Sequence, residues 1–345
     1  MSKFKKNIPA IAAILMVVLG IIISISNKPQ EQYKAGYIDV FDTVTEFIGY
    51  DDTKEDFYET ARHLNEQLMI YHQLYDIYNE YDGINNLKTI NLNAGIEPVV
   101  VDQKIIDLLK FSKDLYQKTN GEINIAMGSV LSIWHNYRSF GKELPPMETL
   151  QEASKHCDIN NIIIDEEAST VYLTDPEMSL DVGSIGKGYA VQMVADYARK
   201  SGITNLVINC GGNVAAIGSK PDETNWIFGI QNPDLQASSN VLKRVSIKDK
   251  CLVTSGDYQR YYVVDGVEYC HIIDPDTLMP PTYFSAVSII CDHSGLADAL
   301  STALFNMPYE EGLALIHSID NAEAIWVFKD GTIKYSENFQ EYITE

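Results

Sequence analysis

Asp181-Val-Gly-Ser-Ile-Gly-Lys-Gly-Tyr189 stands between a short apolar strand expected over residues 178–181 and a helix expected to run to about Lys200, with Gly202 as its stop. Glycines let a backbone approach a ligand closely, and the amides of a helix start beside Lys187 offer positive potential to a phosphate. The same pattern also suits a tight turn carrying a surface lysine, because it is not a P-loop. The segments downstream of the turn decide the fold class. Residues 205–209 read as a buried strand leading into Gly211 and Gly212, and strand-like runs recur at 226–230, 241–247, 260–264 and 267–273, the last two joined by an Asp265-Gly266 hairpin signal. Residues 286–291 form another strand, Ser294 is placed to cap a helix running to about Met307, and residues 322–328 and 332–335 close the chain as a hairpin around Asp330-Gly331.

Upstream, residues 53–78 and 101–118 carry apolar side chains near helical spacing (Phe57, Leu64, Leu68, Leu74; Ile105, Leu108, Leu109, Leu115), so two packed amphipathic helices are expected. The regular strand-helix alternation of a doubly wound domain and the GxGxxG pattern are both missing. The expected class is therefore α+β, a mixed and largely antiparallel sheet body with packed helices.

The N-terminus reads as an address. Residues 7–27 carry no charge, residues 11–25 are nearly all aliphatic, and Lys3, Lys5 and Lys6 precede them. Such a run spans a hydrocarbon core of about 30 Å, and the flanking lysines keep the short N-terminus in the cytoplasm. No small-x-small cleavage site clearly follows, nor a lipid-accepting cysteine, so residues 1–27 are expected as a retained single-pass anchor in the cell membrane, with a cleaved signal segment as the alternative; both place the body outside the cytoplasm. Residues 28–36 are expected as a tether and residues 37–345 as one extracytoplasmic catalytic domain.

With 46% apolar side chains, the 345-residue chain can bury an enzyme-sized core. Its formal charge of -22, from 48 acidic against 26 basic residues, repels nucleic-acid backbones, so no nucleic-acid partner is expected. An anionic ligand would need a local remedy, either a metal ion or a helix N-terminus with a lysine. The five cysteines show neither a CxxC pair nor zinc-ligand spacing.

Three further stretches carry candidate chemistry. Asp298 and Thr302 are four apart on the expected helix, which puts both on one face with β-carbons about 5–6 Å apart, suited to two oxygen ligands of a hard cation or to an exposed polar stripe. His271-Ile-Ile-Asp-Pro275 offers an imidazole able to take a proton from a hydroxyl with a carboxylate nearby to orient it, although a lone strand histidine also serves structure. Thr254-Ser-Gly-Asp-Tyr258 is a donor-rich turn without the partners of a serine-hydrolase elbow.

In this order, and together with Phe41-Asp-Thr43, Tyr78 to Asn91, Asn120-Gly-Glu-Ile-Asn124 and Val207-Ile-Asn-Cys-Gly-Gly-Asn213, these blocks resemble the ApbE family, the FAD:protein FMN transferases, over nearly all the chain after about residue 36. The resemblance implies a T-fold-like ApbE architecture and a Mg2+ ion held by Asp298 and Thr302 with the backbone carbonyl of Ser184. It maps Phe41, Tyr78, Glu122, Ile123, Asn124, Asp181, Lys187 and Ile272 to positions lining FAD, and His271 to the catalytic base. The implied reaction moves FMN from FAD to a Ser/Thr hydroxyl and releases AMP. The implied acceptors are extracytoplasmic flavin-carrying subunits of electron-transfer complexes with a D-G-x-[ST]-G-A-[ST]-like motif. Gly186, Asn124 and Leu278 depart from the family's usual alanine, aspartate and glycine.

Overall fold

The computed structural model of the chain describes residues 31–344; the expected anchor at 1–27 lies outside them. Among the described residues no helix is long and apolar enough to cross a membrane.

Eight strands form one sheet in the order β1 (Glu31–Val40), β2 (Thr43–Asp51), β6 (Asn205–Cys210), β7 (Asn213–Gly218), β10 (Cys251–Gly256), β13 (Phe284–Cys291), β14 (Glu323–Phe328) and β15 (Ile333–Tyr335). Every ladder in it is antiparallel. The period of two sorts side chains between two layers. On β10, Cys251 and Val253 face a large helical core while Leu252 faces the opposite side; on β14, Ala324 and Trp326 face the helices and Ile325 does not. The opposite face is covered by a small sheet of β16 (Ile343–Thr344), β9 (Val241–Ile247) and β8 (Trp226–Gln231). A third sheet joins β3 (Val99–Val100), β5 (Thr170–Leu173) and β4 (Ile162–Asp165), and β11 (Tyr261–Val264) pairs with β12 (Val267–Cys270) as a separate hairpin.

The helices are α1 (Lys54–Tyr75), α2 (Leu87–Leu92), α3 (Gln103–Lys118), α4 (Gly128–Phe140), α5 (Met147–Ser154), α6 (Gly186–Lys200), α7 (Ser294–Asn306) and α8 (Tyr309–His317). In α1, Thr53 Oγ1 accepts the Asp56 amide at 3.1 Å, and Phe57, Ala61, Leu64 and Leu68 form the buried stripe that helical spacing predicts. α7 is apolar nearly all round and buried along most of its length, as befits a helix enclosed between its neighbours and a sheet.

Three expectations change. Residues 31–36, expected in the tether, are part of β1, paired with β2 from Glu31↔Asp51 onward; only Ala35 and Val40 of this edge strand are buried, so it carries no apolar alternation to read. The strand expected at 178–181 makes no ladder, only a bridge from Ser179 to Met127. Asn91 supplies the missing strand partner, accepting the Leu180 amide at 2.7 Å and donating to the Leu180 carbonyl at 3.0 Å. The cap of α7 is His293, whose Nδ1 accepts the Leu296 amide at 3.2 Å, with Ser294 inside the helix.

Candidate active site

A cavity of about 470 Å³ opens where the turn ahead of α6, the α7 helix, the β1–β2 and β6–β7 turns and the β11–β12 hairpin meet. Its first wall is built from the 181–188 turn. The Asp181 amide donates to the Ile125 carbonyl at 2.9 Å, and Asp181 Oδ1 accepts the Gly183 amide at 2.8 Å, which folds the chain back toward α6. The residue that caps α6, Ile185, offers no side-chain acceptor, and the first-turn amide of Gly186 donates to the Val182 carbonyl at 2.7 Å. The Gly188 amide donates to Asp298 Oδ2 at 2.8 Å. That approach requires glycine: a Cβ at 188 would lie 2.4 Å from Asp298 Cβ and 2.6 Å from the Ser294 carbonyl. Thr302, one turn further along α7, lines the same cavity with its Oγ1 3.4 Å from Ser255 Oγ, which lies 2.8 Å from Ser301 Oγ.

Lys187 and Ser184 line this wall as well. The Lys187 ammonium donates to Asn213 Oδ1 and reaches the Gly211 carbonyl at 3.5 Å. Gly211, at φ +53 in the β6–β7 turn, sits where a Cβ would come within 2.3 Å of Thr43 Oγ1, so the two hairpin turns meet without side-chain bulk between them. Burial pushes the Asp298 carboxyl pKa up, against the opposing pull of Lys187 and the Gly188 amide. The buried Asp298 carboxylate and the Thr302 hydroxyl, one helical turn apart on the cavity lining, are oxygen donors of the kind a hard divalent cation takes. Among the described residues no three His, Cys, Asp or Glu side chains cluster as a metal site.

The opposite wall is more open. Phe41 and Asp42 form the two-residue turn between β1 and β2, with φ of +51° and +50°, as a primed hairpin turn demands. Tyr78 is 57% exposed, its ring 5.5 Å from that of His135. Glu122 lines the cavity with Oε2 buried and without a hydrogen-bond partner among the described residues; burial, aided by Asp274 and Asp276, pushes its carboxyl pKa up to about 7.

His271 lies just beyond the end of β12, not within a strand. Its Nδ1 stands 3.2 Å from the Arg260 carbonyl. A carbonyl can only accept, so Nδ1 carries the proton and Nε2 presents the lone pair. Desolvation, with nearby Arg260, Arg138 and Lys187, lowers the imidazole pKa to about 4, so the ring is neutral in ordinary buffers. The carboxylate expected to orient it does something else: Asp274 accepts the amides of Asp276 and Thr277 and the Thr277 hydroxyl, closing its own turn.

Residues 41–326 match the family model described as the ApbE family. The chain belongs to that family. It is 33% identical to the FAD:protein FMN transferase of Treponema pallidum (strain Nichols) over 264 residues, 72% of each chain, and 30% identical to that of Klebsiella pneumoniae (strain 342) over 245 residues, 71% of this chain and 75% of the relative. Its fold superposes on the crystal structure of the ApbE protein from Thermotoga maritima with a TM-score of 0.81 at 27% identity, covering 91% of this chain and all of the other. The flavin transferase ApbE of Vibrio cholerae shares the fold at a TM-score of 0.77.

Of the positions mapped from the ApbE resemblance, Phe41, Tyr78, Glu122, Asn124, Asp181 and Lys187 share this one cavity, as do Ser184, His271, Ile272, Asp298 and Thr302. Ile123 does not line it: its side chain is 1% exposed in the helical core, and its amide donates to Thr119 Oγ1. The departures from the ApbE pattern have local causes. Asn124 Oδ1 accepts the Ala126 amide while its Nδ2 donates to the Cys157 carbonyl at 2.9 Å, a bond an aspartate could not make. A Cβ at Gly186 would press on Val182 Cγ2 at 3.0 Å. Leu278 takes the left-handed backbone, φ +60, that a glycine adopts without strain. Sequence reading missed Arg138, Arg260 and His72, which also line the cavity; none has a local spacing that would mark it.

Proposed function

We propose that this chain is an FAD:protein FMN transferase that joins FMN to a serine or threonine hydroxyl of an acceptor flavoprotein, with Mg2+ as its metal. The observation that carries the reading is the 2.8 Å bond from the Gly188 amide to Asp298, which brings the carboxylate of α7 to the head of α6, beside Lys187 and within one cavity with His271. Lys187 and the α6 N-terminus offset the charge of a pyrophosphate on an otherwise acidic protein. His271 Nε2 takes the proton from the attacking hydroxyl, and its Nδ1–H bond to the Arg260 carbonyl fixes the tautomer that makes this possible. The hydroxyl oxygen forms a bond to the FMN phosphorus as the bridging P–O bond breaks, giving a phosphoester and AMP. When bound by Asp298, Thr302 and the Ser184 carbonyl, Mg2+ supplies neutralisation of charge on the pyrophosphate and on departing AMP.

Residues 1–27 read as a membrane anchor place this reaction outside the cytoplasm, where acceptor subunits of electron-transfer complexes would meet it. Protease treatment of intact cells, with loss of the catalytic body but not of a cytoplasmic marker, is the expected result for that topology. Mass spectrometry of a co-expressed acceptor domain tests the chemistry. Wild type is expected to add an FMN mass and Asp298→Ala to add none; equal addition by both would overturn the metal assignment. Free FMN with no modified acceptor would instead make the protein an FAD pyrophosphatase, and FAD binding without turnover a non-catalytic flavin carrier.

A further inference from the structure

The Phe41 turn and the Tyr78 loop, both on the open wall of the cavity, are tied together by a series of hydrogen bonds that converge on Asp76. The Phe41 amide donates to His72 Nδ1 at 3.2 Å. An amide N–H can only donate, so Nδ1 holds the lone pair, and the neutral ring carries its proton on Nε2. Nε2 lies 3.3 Å from the Tyr81 hydroxyl, and that hydroxyl donates to Asp76 Oδ2 at 2.7 Å. Asp76, at the C-terminal cap of α1, accepts with Oδ1 the amides of Tyr78 and Asn79 at 2.6 and 3.0 Å. The series therefore begins at the hairpin turn of Phe41 and ends at the loop of Tyr78. The His72 ring also meets Phe41 edge-on, with centroids 5.4 Å apart.

Phe41 needs such a tie. A bulky residue at φ +51 is held against its own preference, and positions of this kind persist where surrounding contacts over-determine them. We propose that His72 is the positioning residue of this end of the cavity: as the Nε2–H tautomer it clamps the Phe41 turn to the Tyr78 loop and so sets the spacing of the two aromatic side chains between which an FAD ring is received. The assignment of that ring rests on the function proposed above; the clamp itself rests on the hydrogen bonds.

Four full-length proteins test it: wild type, His72→Phe, His72→Asn and Tyr81→Phe. His72→Phe keeps a ring against Phe41 and removes the acceptor, whereas the Asn side-chain oxygen can replace Nδ1. With His72→Phe, hydrogen exchange in a peptide spanning Phe41 is expected to rise about ten-fold and FAD affinity to fall about ten-fold, the loss corresponding to one hydrogen bond of the stronger kind. The rate at saturating FAD should stay within about two-fold, since His72 acts before chemistry rather than in it. His72→Asn should recover both properties, and Tyr81→Phe should lie between. Unchanged exchange and affinity in His72→Phe, or a His72→Asn protein no better than it, would overturn the clamp. Should His72→Phe fail to fold, Tyr81→Phe carries the test, because it removes one hydroxyl, and wild-type behaviour there would sink the proposal. A wild-type protein that binds FAD but transfers nothing would refute the transferase reading and leave the clamp standing. If it binds no FAD, the exchange data still decide.

Discussion

The two walls of the cavity are made in different ways. The α6–α7 wall is held by backbone against carboxylate: Gly188 and Asp298 meet at 2.8 Å between buried helices, and the glycine leaves no spare volume. The Phe41–Tyr78 wall is held by side chains on turns, with Tyr78 mostly exposed and Phe41 in a strained turn. The first arrangement cannot shift without repacking a core, whereas the second can open locally at the cost of a few hydrogen bonds. A site built this way has one rigid end and one adjustable end.

The contrast predicts unequal sensitivity. Gly188→Ala is expected to be the most damaging change: overpacking costs about 1–3 kcal/mol of stability, and displacing Asp298 should cut FMN transfer by about a hundred-fold or more. Thermal melting and the acceptor mass assay read both, and a variant with normal melting and normal transfer would show that the helix wall is softer than described. Tyr78→Ala is expected to leave melting within about 0.5 kcal/mol of wild type because the side chain is exposed. It should weaken FAD binding about five-fold through lost stacking, measured by titration, and a large loss of stability would erase the distinction between the walls.

Glu122→Gln should give a smaller effect that depends on pH. With the native carboxyl raised to about 7, the folded chain holds a proton that the unfolded chain releases near the ordinary glutamate pKa of about 4.3. Stability from this group is thus complete in acid and lost as pH rises toward 7. The Gln variant should melt like wild type at low pH and above it near neutrality, and a difference independent of pH would contradict the buried, raised carboxyl. Smallest of all, Lys110→Ala removes an exposed pair with Glu166 and should leave thermal melting indistinguishable from wild type.

His271 sharpens the comparison from another side. Its pKa of about 4 leaves the ring neutral across the working range, so the transfer rate at saturating FAD should show no histidine limb near pH 6.5. An acid limb there that vanishes in His271→Ala would mean the ring titrates normally.

Legibility in the sequence follows periodicity. α1, α3 and α6 are readable because apolar residues recur at three and four, and most later strands because β-branched runs sit between turn signals. The start of β1 reads as a tether because an edge strand with two buried residues has no pattern to show. β7, Asn213–Gly218, escapes sequence reading because its alanines and glycine carry weak strand preference. At the site, the blocks are visible as residue types. Asn124 can be placed from sequence but is explained only by Cys157 as its acceptor, and His72 gives no sign because its partners belong to a hairpin turn and a loop.

What the sequence determined by itself was chemical supply: an acidic chain with a glycine-rich helix start, a lysine beside it, an Asp/Thr pair four apart, and strands enough for an antiparallel sheet. Local pattern encodes those features because they depend on neighbours three or four residues away. Tertiary structure decided which of them meet. Gly188 and Asp298 are 110 positions apart, and Phe41 and His72 are 31 apart. Contacts of that separation exist only once helices pack on a sheet and turns are brought to one edge, since their geometry is set by burial of the surrounding core and not by any local preference.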